Sequence, residues 1–501
     1  MDCKINADLL ARLATVISES LGLRFGPERA NDLERALVNA SPDFGFNDPL
    51  RFAEWLGVAR LSKEETERLA SHLTVGETYF FRDKEVFDGL EQTILPDLME
   101  KRRVEKRLRI WSAGCSTGEE PYSLAMMLSA MMFDMREWNI TILATDISSK
   151  SLQKAAEASY GEWSFRSVPS YIKERYFNKT SDGRYILIDR IKKMVEFKYL
   201  NLAGDAYPSL LNNTNAMDLI LCRNVLMYFS EATGAGVAQK LRNCLVDDGL
   251  MITNPSEAAH YMVSSLFAPV SLPGATFYKK SEQTVQIEEA GRLFKEKPRT
   301  GQRPAEPQAK KRTAAKPLGE PIDGAQAAVR PKPLKKGPSV RTTALEEAGR
   351  LFKLGAYQQA CETLEADAKS KDSPEECALL ARIYANQGRL ELAQIWCRRA
   401  ISAERLNPAF QFLMATILME QGLFKESVAA LKKTLYLDPR FVLAYYMLAG
   451  ISARLGDADG AARNKKNTME LLSEYDPEEP LPDSDGMTAG RLAQLAAAMH
   501  A

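Results

Sequence analysis

Four stretches near the N-terminus, "ADLLARLATVISESLG", "ERANDLERALVNA", "DPLRFAEWLGVA" and "SKEETERLASHL", space their apolar residues three or four apart. That is the period of one helix face, so residues 1–75 read as a small all-helical domain. Ser62 and Glu65 stand in capping-box register at the start of the last stretch. From residue 108 the texture changes. Short apolar runs, "LRIWS", "ITILATD", "MVEFKYLNL", "MDLILC" and "GLMITN", alternate with helical stretches. The alternation predicts a mostly parallel sheet with helices on both faces. "GRYILIDRI" at 183–191 alternates differently and reads as part of a small antiparallel insertion.

The last third repeats. Gly355, Gly388, Gly422 and Gly456 lie 33, 34 and 34 residues apart, each followed five residues on by a small residue: Ala360, Ala393, Ser427 and Ala461. Pro374, Pro408 and Pro439 fall just before the next helix of the pattern. A 34-residue period of this form resembles the tetratricopeptide (TPR) repeat. The glycine ends the first helix and permits close contact, and the small residue lets the paired helices approach. Stacked pairs form a curved solenoid with a concave, peptide-sized groove. "EEAGRLFK" occurs at 288–295 and again at 346–353, the second copy opening the first repeat. The first copy is either a relic of duplication or a cap that can take the place of the second.

Between sheet and repeats, residues 296–343 hold eight prolines and no aromatic residue, and 281–344 hold 14 Lys/Arg against 7 Asp/Glu. Such a segment cannot bury enough surface to offset its ordering entropy and reads as a basic flexible tether. The resulting division is 1–75 helical, 76–280 α/β, 281–343 linker, 344–475 solenoid and 476–501 a tail with a short helix. The whole chain of 501 residues balances 66 Lys/Arg against 66 Asp/Glu, so global charge favours no nucleic-acid or other charged partner. Its longest apolar run, "LAMMLSAMMF", is ten residues, short of the roughly 18 that a membrane span needs. The N-terminus shows no basic-then-apolar signal, and the expectation is a cytoplasmic protein. Seven cysteines form no CxxC pair, which suits reduced thiols and no metal site. With three histidines in all, a histidine base has few candidates.

The chemistry centres on "WSAGCSTGEEPYSLAMM" at 111–127: a strand end, a turn of small residues, then a helix opened by Glu119 and Glu120 with Pro121 in its first turn. It is neither GxGxxG nor GxxxxGK[ST]. Two carboxylates at a helix N-terminus spoil a phosphate site and suit a cationic ligand. Asp146 ends a strand 32 residues after Gly114, where an acidic residue can take ribose hydroxyls. Adenosine without phosphate, plus a positive centre, describes S-adenosylmethionine. Arg223 and Asn224 directly follow the strand "MDLILC", on the rim where open sheets bind ligands. Tyr228 is four residues further on, and "VGETYFFRD" at 75–83 places Arg82 at the hinge between helical and sheet regions.

"ETYFFRD", "WSAGCSTGEEPYSLAM", "ATDIS", "YLNL" and "CRNVLMYF" occur in that order, and over roughly residues 5–280 the chain resembles the CheR-type chemotaxis receptor methyltransferases. The resemblance implies an N-terminal helical domain joined to a Rossmann-like methyltransferase domain with a small β-subdomain. It implies methyl esterification, from S-adenosylmethionine, of glutamates on the cytoplasmic helices of chemoreceptors. It further implies that Thr78 and Arg82 contact the methionine end of the cofactor beside the transferred methyl. Glu119 would hold its amino acid portion, with Glu120 as the second carboxylate beside it. Asp146 would bind the ribose, and Asn201 and Leu202 would flank the adenine. Arg223 and Asn224 would line the site, and Arg82 and Tyr228 would face the acceptor carboxylate. A carboxylate nucleophile is already ionised near pH 7, so no general base is required. The enzyme's task is alignment, which can supply up to roughly 7–11 kcal/mol.

Three features depart from the family. Gly76 stands where asparagine is common, "NPSE" at 254–257 stands for His-Ser-Glu, and Arg29 and Arg35 are balanced by Glu28, Asp32 and Glu34 where the second helix is often arginine-rich. The β-insertion after Phe177 also looks short, against tethering to a receptor tail. The expected partners are a chemoreceptor cytoplasmic domain, in receptor arrays at the membrane, and an unidentified protein or peptide on the solenoid groove. Two alternatives stay open: methylation of a different substrate class, or an adaptor whose methyltransferase domain has weakened.

Overall fold

The computed structural model describes residues 5–74, 76–131, 137–254, 256–257, 266–280, 343–366 and 373–499. The proline-rich linker through residue 342, with the first "EEAGRLFK" copy, lies outside the described residues.

The N-terminal region forms the helices Ala7–Leu21, Ala30–Ala40, Pro49–Leu56 and Lys63–Leu73. Leu9, Leu10, Leu13, Ile17 and Leu21 form the buried stripe of the first, as the spacing requires. The Ser62–Glu65 box is complete: Glu65 N–H donates to Ser62 Oγ at 3.2 Å, and Ser62 N–H to Glu65 Oε2 at 2.7 Å. Arg35 pairs with Asp32 at 2.5 Å and Glu34 accepts from Ile5 N–H, so the charges of the second helix are spent locally.

The sheet has seven strands: β1 Arg107–Ala113, β2 Asn139–Asp146, β6 Val195–Tyr199, β7 Met217–Leu221, β8 Leu245–Ile252, β9 Phe267–Leu272 and β10 Ala275–Lys280. Their order is β6-β2-β1-β7-β8-β10-β9, with β10 antiparallel to both neighbours and the other pairs parallel. The β9–β10 hairpin was not among the strands expected from sequence. Its signal is the Pro273–Gly274 turn between two short alternating runs. The antiparallel insertion is a sheet of β3 Ser159–Tyr160, β4 Phe177–Lys179 and β5 Tyr185–Leu187 in the order β3-β5-β4. Phe80 packs into it against Tyr160, Phe165 and Phe177, with ring centroids 4.8–5.1 Å apart. The hinge segment is thereby anchored by an aromatic cluster.

The repeats form the helix pairs Ala344–Lys353/Tyr357–Ala366, Pro374–Asn386/Leu390–Ala403, Pro408–Glu420/Phe424–Leu437 and Val442–Arg454/Ala458–Leu472. Ala360, Ala393, Ser427 and Ala461 are buried where each pair crosses. The repeat glycines sit at φ between +72° and +79°, the left-handed residue that closes each first helix. Their close contacts are not within the pair. A Cβ on Gly355 would lie 2.1 Å from Asn243, one on Gly388 3.3 Å from Val246, and one on Gly422 3.3 Å from Asn139. Asn243 and Val246 flank the start of β8, and Asn139 begins β2. The solenoid therefore lies along the N-terminal edge of the sheet.

Each of the first three turns presents the unpaired carbonyls of a helix C-terminus to a donor on that edge. Asn243 Nδ2 donates to Leu354 O at 3.2 Å, Arg107 Nη1 reaches Gly388 O at 3.5 Å, and Asn139 Nδ2 reaches Glu420 O at 3.3 Å. These bonds satisfy orphan acceptors and favour positive charge at the dipole's negative end. Successive turns advance by one to two strands, ~5–10 Å, close to the ~8–10 Å between packed helices. Glu420, 4% exposed, adds a buried ion pair to Arg109 at 3.1 Å, and Arg109 also donates to Asn213 O at 2.9 Å. Leu210 and Leu211, from the loop before β7, enter the solenoid's apolar core.

The tail helix spans Ala489–Ala498 and packs on the last pair, with Leu492 and Ala496 fully buried. The segment leading to it meets the first helix of the second pair, where Arg382 pairs with Asp483 at 3.3 Å and Asp485 at 3.5 Å. Part of the surface expected to be a groove for a partner is thus covered by the chain itself. Gly355→Ala and Gly456→Ala share the left-handed strain, about 1 kcal/mol. Only the first meets a neighbour, since nothing lies within 4 Å of a Cβ at 456. In urea unfolding Gly355→Ala should cost roughly 1–3 kcal/mol more than Gly456→Ala. Equal losses would contradict the docked edge.

Candidate functional site

β1 ends at Ala113, and the chain must turn at once into the helix Glu119–Met131. Gly114 takes φ +81°, and a Cβ there would come 2.3 Å from Val225 Cγ2. No side chain fits, and the backbone is bared to a crevice of about 280 Å³. The crevice lies at the C-terminal ends of β1, β2, β6 and β7, with the helical region closing one side through Leu23 and Thr74. Thr78, Arg82, Asp146, Asn201, Leu202, Arg223, Asn224 and Tyr228 all line it. With Gly114 they bring five separate stretches of sequence to one place.

Glu119 is not on the wall. It is 3% exposed, accepts from Thr117 Oγ1 at 2.6 Å and Ser164 Oγ at 3.0 Å, and faces the β-subdomain. Burial pushes its pKa up against those bonds. The carboxylate on the crevice is Glu120, which accepts from Ser112 Oγ at 2.7 Å and Arg223 Nη1 at 3.0 Å. Pro121 at the third helical position fixes the helix start, so a shift of one residue swaps which glutamate points inward.

Arg223 is 6% exposed and carries the local charge balance. Besides Glu120 it pairs with Asp83 and donates to the Arg82 carbonyl at 2.9 Å. Arg82 itself sits between Phe81 and Asp83, both left-handed at φ +54° and +61°. Strain on both sides of one residue persists only where the surroundings hold it. Here Phe80 and Phe81 are locked by rings and Phe81 N–H donates to Ser123 Oγ at 3.0 Å. The Arg82 guanidinium donates to Glu77 O at 2.8 Å and passes 5.8 Å from the Tyr79 ring.

Asp146 accepts from Ser116 N–H and Ser148 N–H, each at 2.8 Å, while burial pushes its pKa up. Asn201 and Leu202 follow β6, and Leu200 N–H donates to Asp146 O at 3.1 Å, so the Asp146 turn and the 200–202 segment are held together. Tyr228 is covered by the helical region: Arg29 lies 5.1 Å over its ring, and Arg24 N–H donates to its carbonyl at 2.7 Å. Arg29 thus packs on the ring of a crevice residue.

Two of the departures find a physical account. Ser116 Oγ donates to Gly76 O at 3.0 Å and stands 2.9 Å from where a Cβ at 76 would begin, so the space beside the turn is already taken. Glu257, 1% exposed, accepts from Asn224 N–H at 3.0 Å, Met227 N–H at 3.2 Å and Thr253 Oγ1 at 2.8 Å. The glutamate of "NPSE" is the clamp that shapes the Asn224–Met227 turn. Neither Glu257 nor Ser116 was singled out from the sequence. The available signal was an acidic residue just past a strand end, on the ligand rim.

This donor set fits S-adenosylmethionine. Glu120 and Asp146 supply negative charge for a cation and acceptors for hydroxyls, and the bared Gly114 backbone admits a ligand closely. Comparison with known proteins agrees. A family profile described as "CheR methyltransferase, SAM binding domain" matches residues 76–273, and one described as "Tetratricopeptide repeat" matches 377–405. The chain is 35% identical over 262 residues to a "Chemotaxis protein methyltransferase" of Borreliella burgdorferi, covering 51% of this chain and 90% of that one. It is 35% identical over 219 residues to "Chemotaxis protein methyltransferase 2" of Vibrio cholerae, covering 44% and 74%. A "Probable biofilm formation methyltransferase WspC" of Pseudomonas aeruginosa is 26% identical over 456 residues, covering 90% of this chain and 96% of its own. The chain belongs to the chemotaxis-type, S-adenosylmethionine-dependent CheR methyltransferases, in a form extended by a tetratricopeptide solenoid.

Proposed function

We propose that this enzyme esterifies glutamate side chains on the cytoplasmic helices of a chemoreceptor, and that the solenoid recruits a protein partner. Relatives that span both halves of the chain are named for biofilm formation, which supports an output other than motility as a second reading. The observation that carries the reading is Arg82, held in a strained hinge on the same crevice as Glu120 and Asp146.

Glu120 holds the amino acid end of the cofactor, Asp146 the ribose, and Asn201 with Leu202 the adenine. S-adenosylmethionine supplies a sulfonium methyl whose departure leaves a neutral thioether. Arg82 and Tyr228 orient the incoming carboxylate. Arg82 has a geometry suited to a forked contact with both carboxylate oxygens. Its contact with Glu77 O and the Tyr79 ring leaves it free of a competing strong pair, so it directs the nucleophile without neutralising it. Arg223 keeps Arg82 in register through its carbonyl. No group in the crevice has to remove a proton, because the acceptor is ionised near neutral pH.

Three outcomes follow. Tritiated methyl groups transferred to receptor fragments should be released as methanol in mild alkali; a base-stable product would remove the ester reading. Arg82→Ala should bind S-adenosylhomocysteine within a few-fold of the native chain yet lose about 10²–10³ in turnover. Equal loss of both would contradict the orienting role. Ribose hydroxyls favour ionised Asp146, so calorimetric affinity for S-adenosylhomocysteine should fall as pH drops through the raised pKa of Asp146 and recover above it. Asp146→Asn should bind weakly with that slope gone.

A further inference from the structure

The tail helix Ala489–Ala498 belongs to the solenoid by packing, yet one of its side chains leaves it. Arg491 is 6% exposed and reaches past the edge strand β6 to the ligand rim of the sheet. Its Nη2 donates to the carbonyl of Tyr199 and lies 3.6 Å from Asp205 Oδ2. Its Nη1 lies 3.7 Å from Glu67 Oε1 of the helical region and 3.4 Å from Gln494 Oε1. The guanidinium plane stacks 4.2 Å over the Tyr199 ring.

Two of these partners, Tyr199 and Asp205, belong to the adenine segment. Tyr199 pairs with Asp146 in the β2–β6 register. Asp205 Oδ2 accepts from Asn201 N–H at 2.8 Å, and Asp205 N–H donates to Asn201 O at 2.9 Å. Asn201 Oδ1 is used by Ala203 N–H at 2.9 Å. Segment 199–205 is thus a self-bonded loop whose inner side is the crevice wall and whose outer side is Arg491. The helix is itself fixed to the solenoid: Lys465 Nζ donates to Ala497 O at 2.9 Å and to Met499 O at 2.7 Å.

We propose that Arg491 is a positioning residue for the adenine-binding segment, so that cofactor affinity depends on a helix docked on the tetratricopeptide solenoid. The inference rests on the reading of the crevice as the cofactor site. A buried guanidinium that bonds a carbonyl, stacks on a ring and faces carboxylates fixes both orientation and charge. Lysine can keep the charge but not the stack and the fork.

The test is calorimetric titration of S-adenosylhomocysteine into the full chain, native and carrying Arg491→Met or Arg491→Lys. Arg491→Met should weaken binding about tenfold, within the usual range of coupling between sites, and Arg491→Lys should restore part of it. In turnover assays KM for S-adenosylmethionine should rise with kcat within twofold. Hydrogen exchange should speed up at 199–205 in Arg491→Lys, which covers the case of a misfolded methionine variant. Native affinity and native protection in the variants overturn the assignment while leaving the cofactor site intact. No binding by the native chain would overturn both.

Discussion

The Arg223 guanidinium stands where the hinge, the first helix after β1 and the end of β7 converge, and it meets Asp83, the Arg82 carbonyl and Glu120. Without that cation two carboxylates would face each other beside a third, Asp146, in a half-buried crevice. Breaking a buried pair in this way costs about 3–5 kcal/mol. Its presence lets the site stay acidic enough for a sulfonium while remaining folded before the ligand arrives. It also transmits position, since the Arg82 carbonyl is one of its partners. The strained hinge, the inward turn of Glu120 and the start of the Asn224 loop are conditions on one another.

Much of this was legible in the sequence because the signals were local. The change of period at residue 108, the 34-residue repeat and the small-residue turn after "LRIWS" each follow from backbone geometry alone. The assignment between adjacent glutamates was not. Glu119 and Glu120 are equivalent by spacing, and only the packing of Ser164 from the β-subdomain decides which faces the crevice. Glu257 was hidden for a similar reason: its role is to bind backbone N–H groups 30 and 33 residues earlier in the chain. Arg29 was read as a charge balanced by its acidic neighbours, and its place over Tyr228 depends on how the helical region meets the sheet.

The repeats were expected to be a separate module on a tether. Instead the solenoid is spliced into the enzyme by Glu420, by Leu210 and Leu211, and by side-chain donors that take up the helix-end carbonyls. Here the glycine turns, usually a matter of internal packing, have become a contact surface for the edge of another fold.

The docking also settles a hazard of open sheets. β6 ends the parallel run and would bare a row of unpaired amides and carbonyls. The tail helix lies against that end with Arg491 on the Tyr199 carbonyl, one of the groups another chain would seek. At the opposite margin β9 carries Pro269, which has no amide hydrogen to offer. One margin is met at the Tyr199 carbonyl by an arginine of the chain's own last helix and the other is blunted by a proline, which disfavours strand-to-strand pairing between copies.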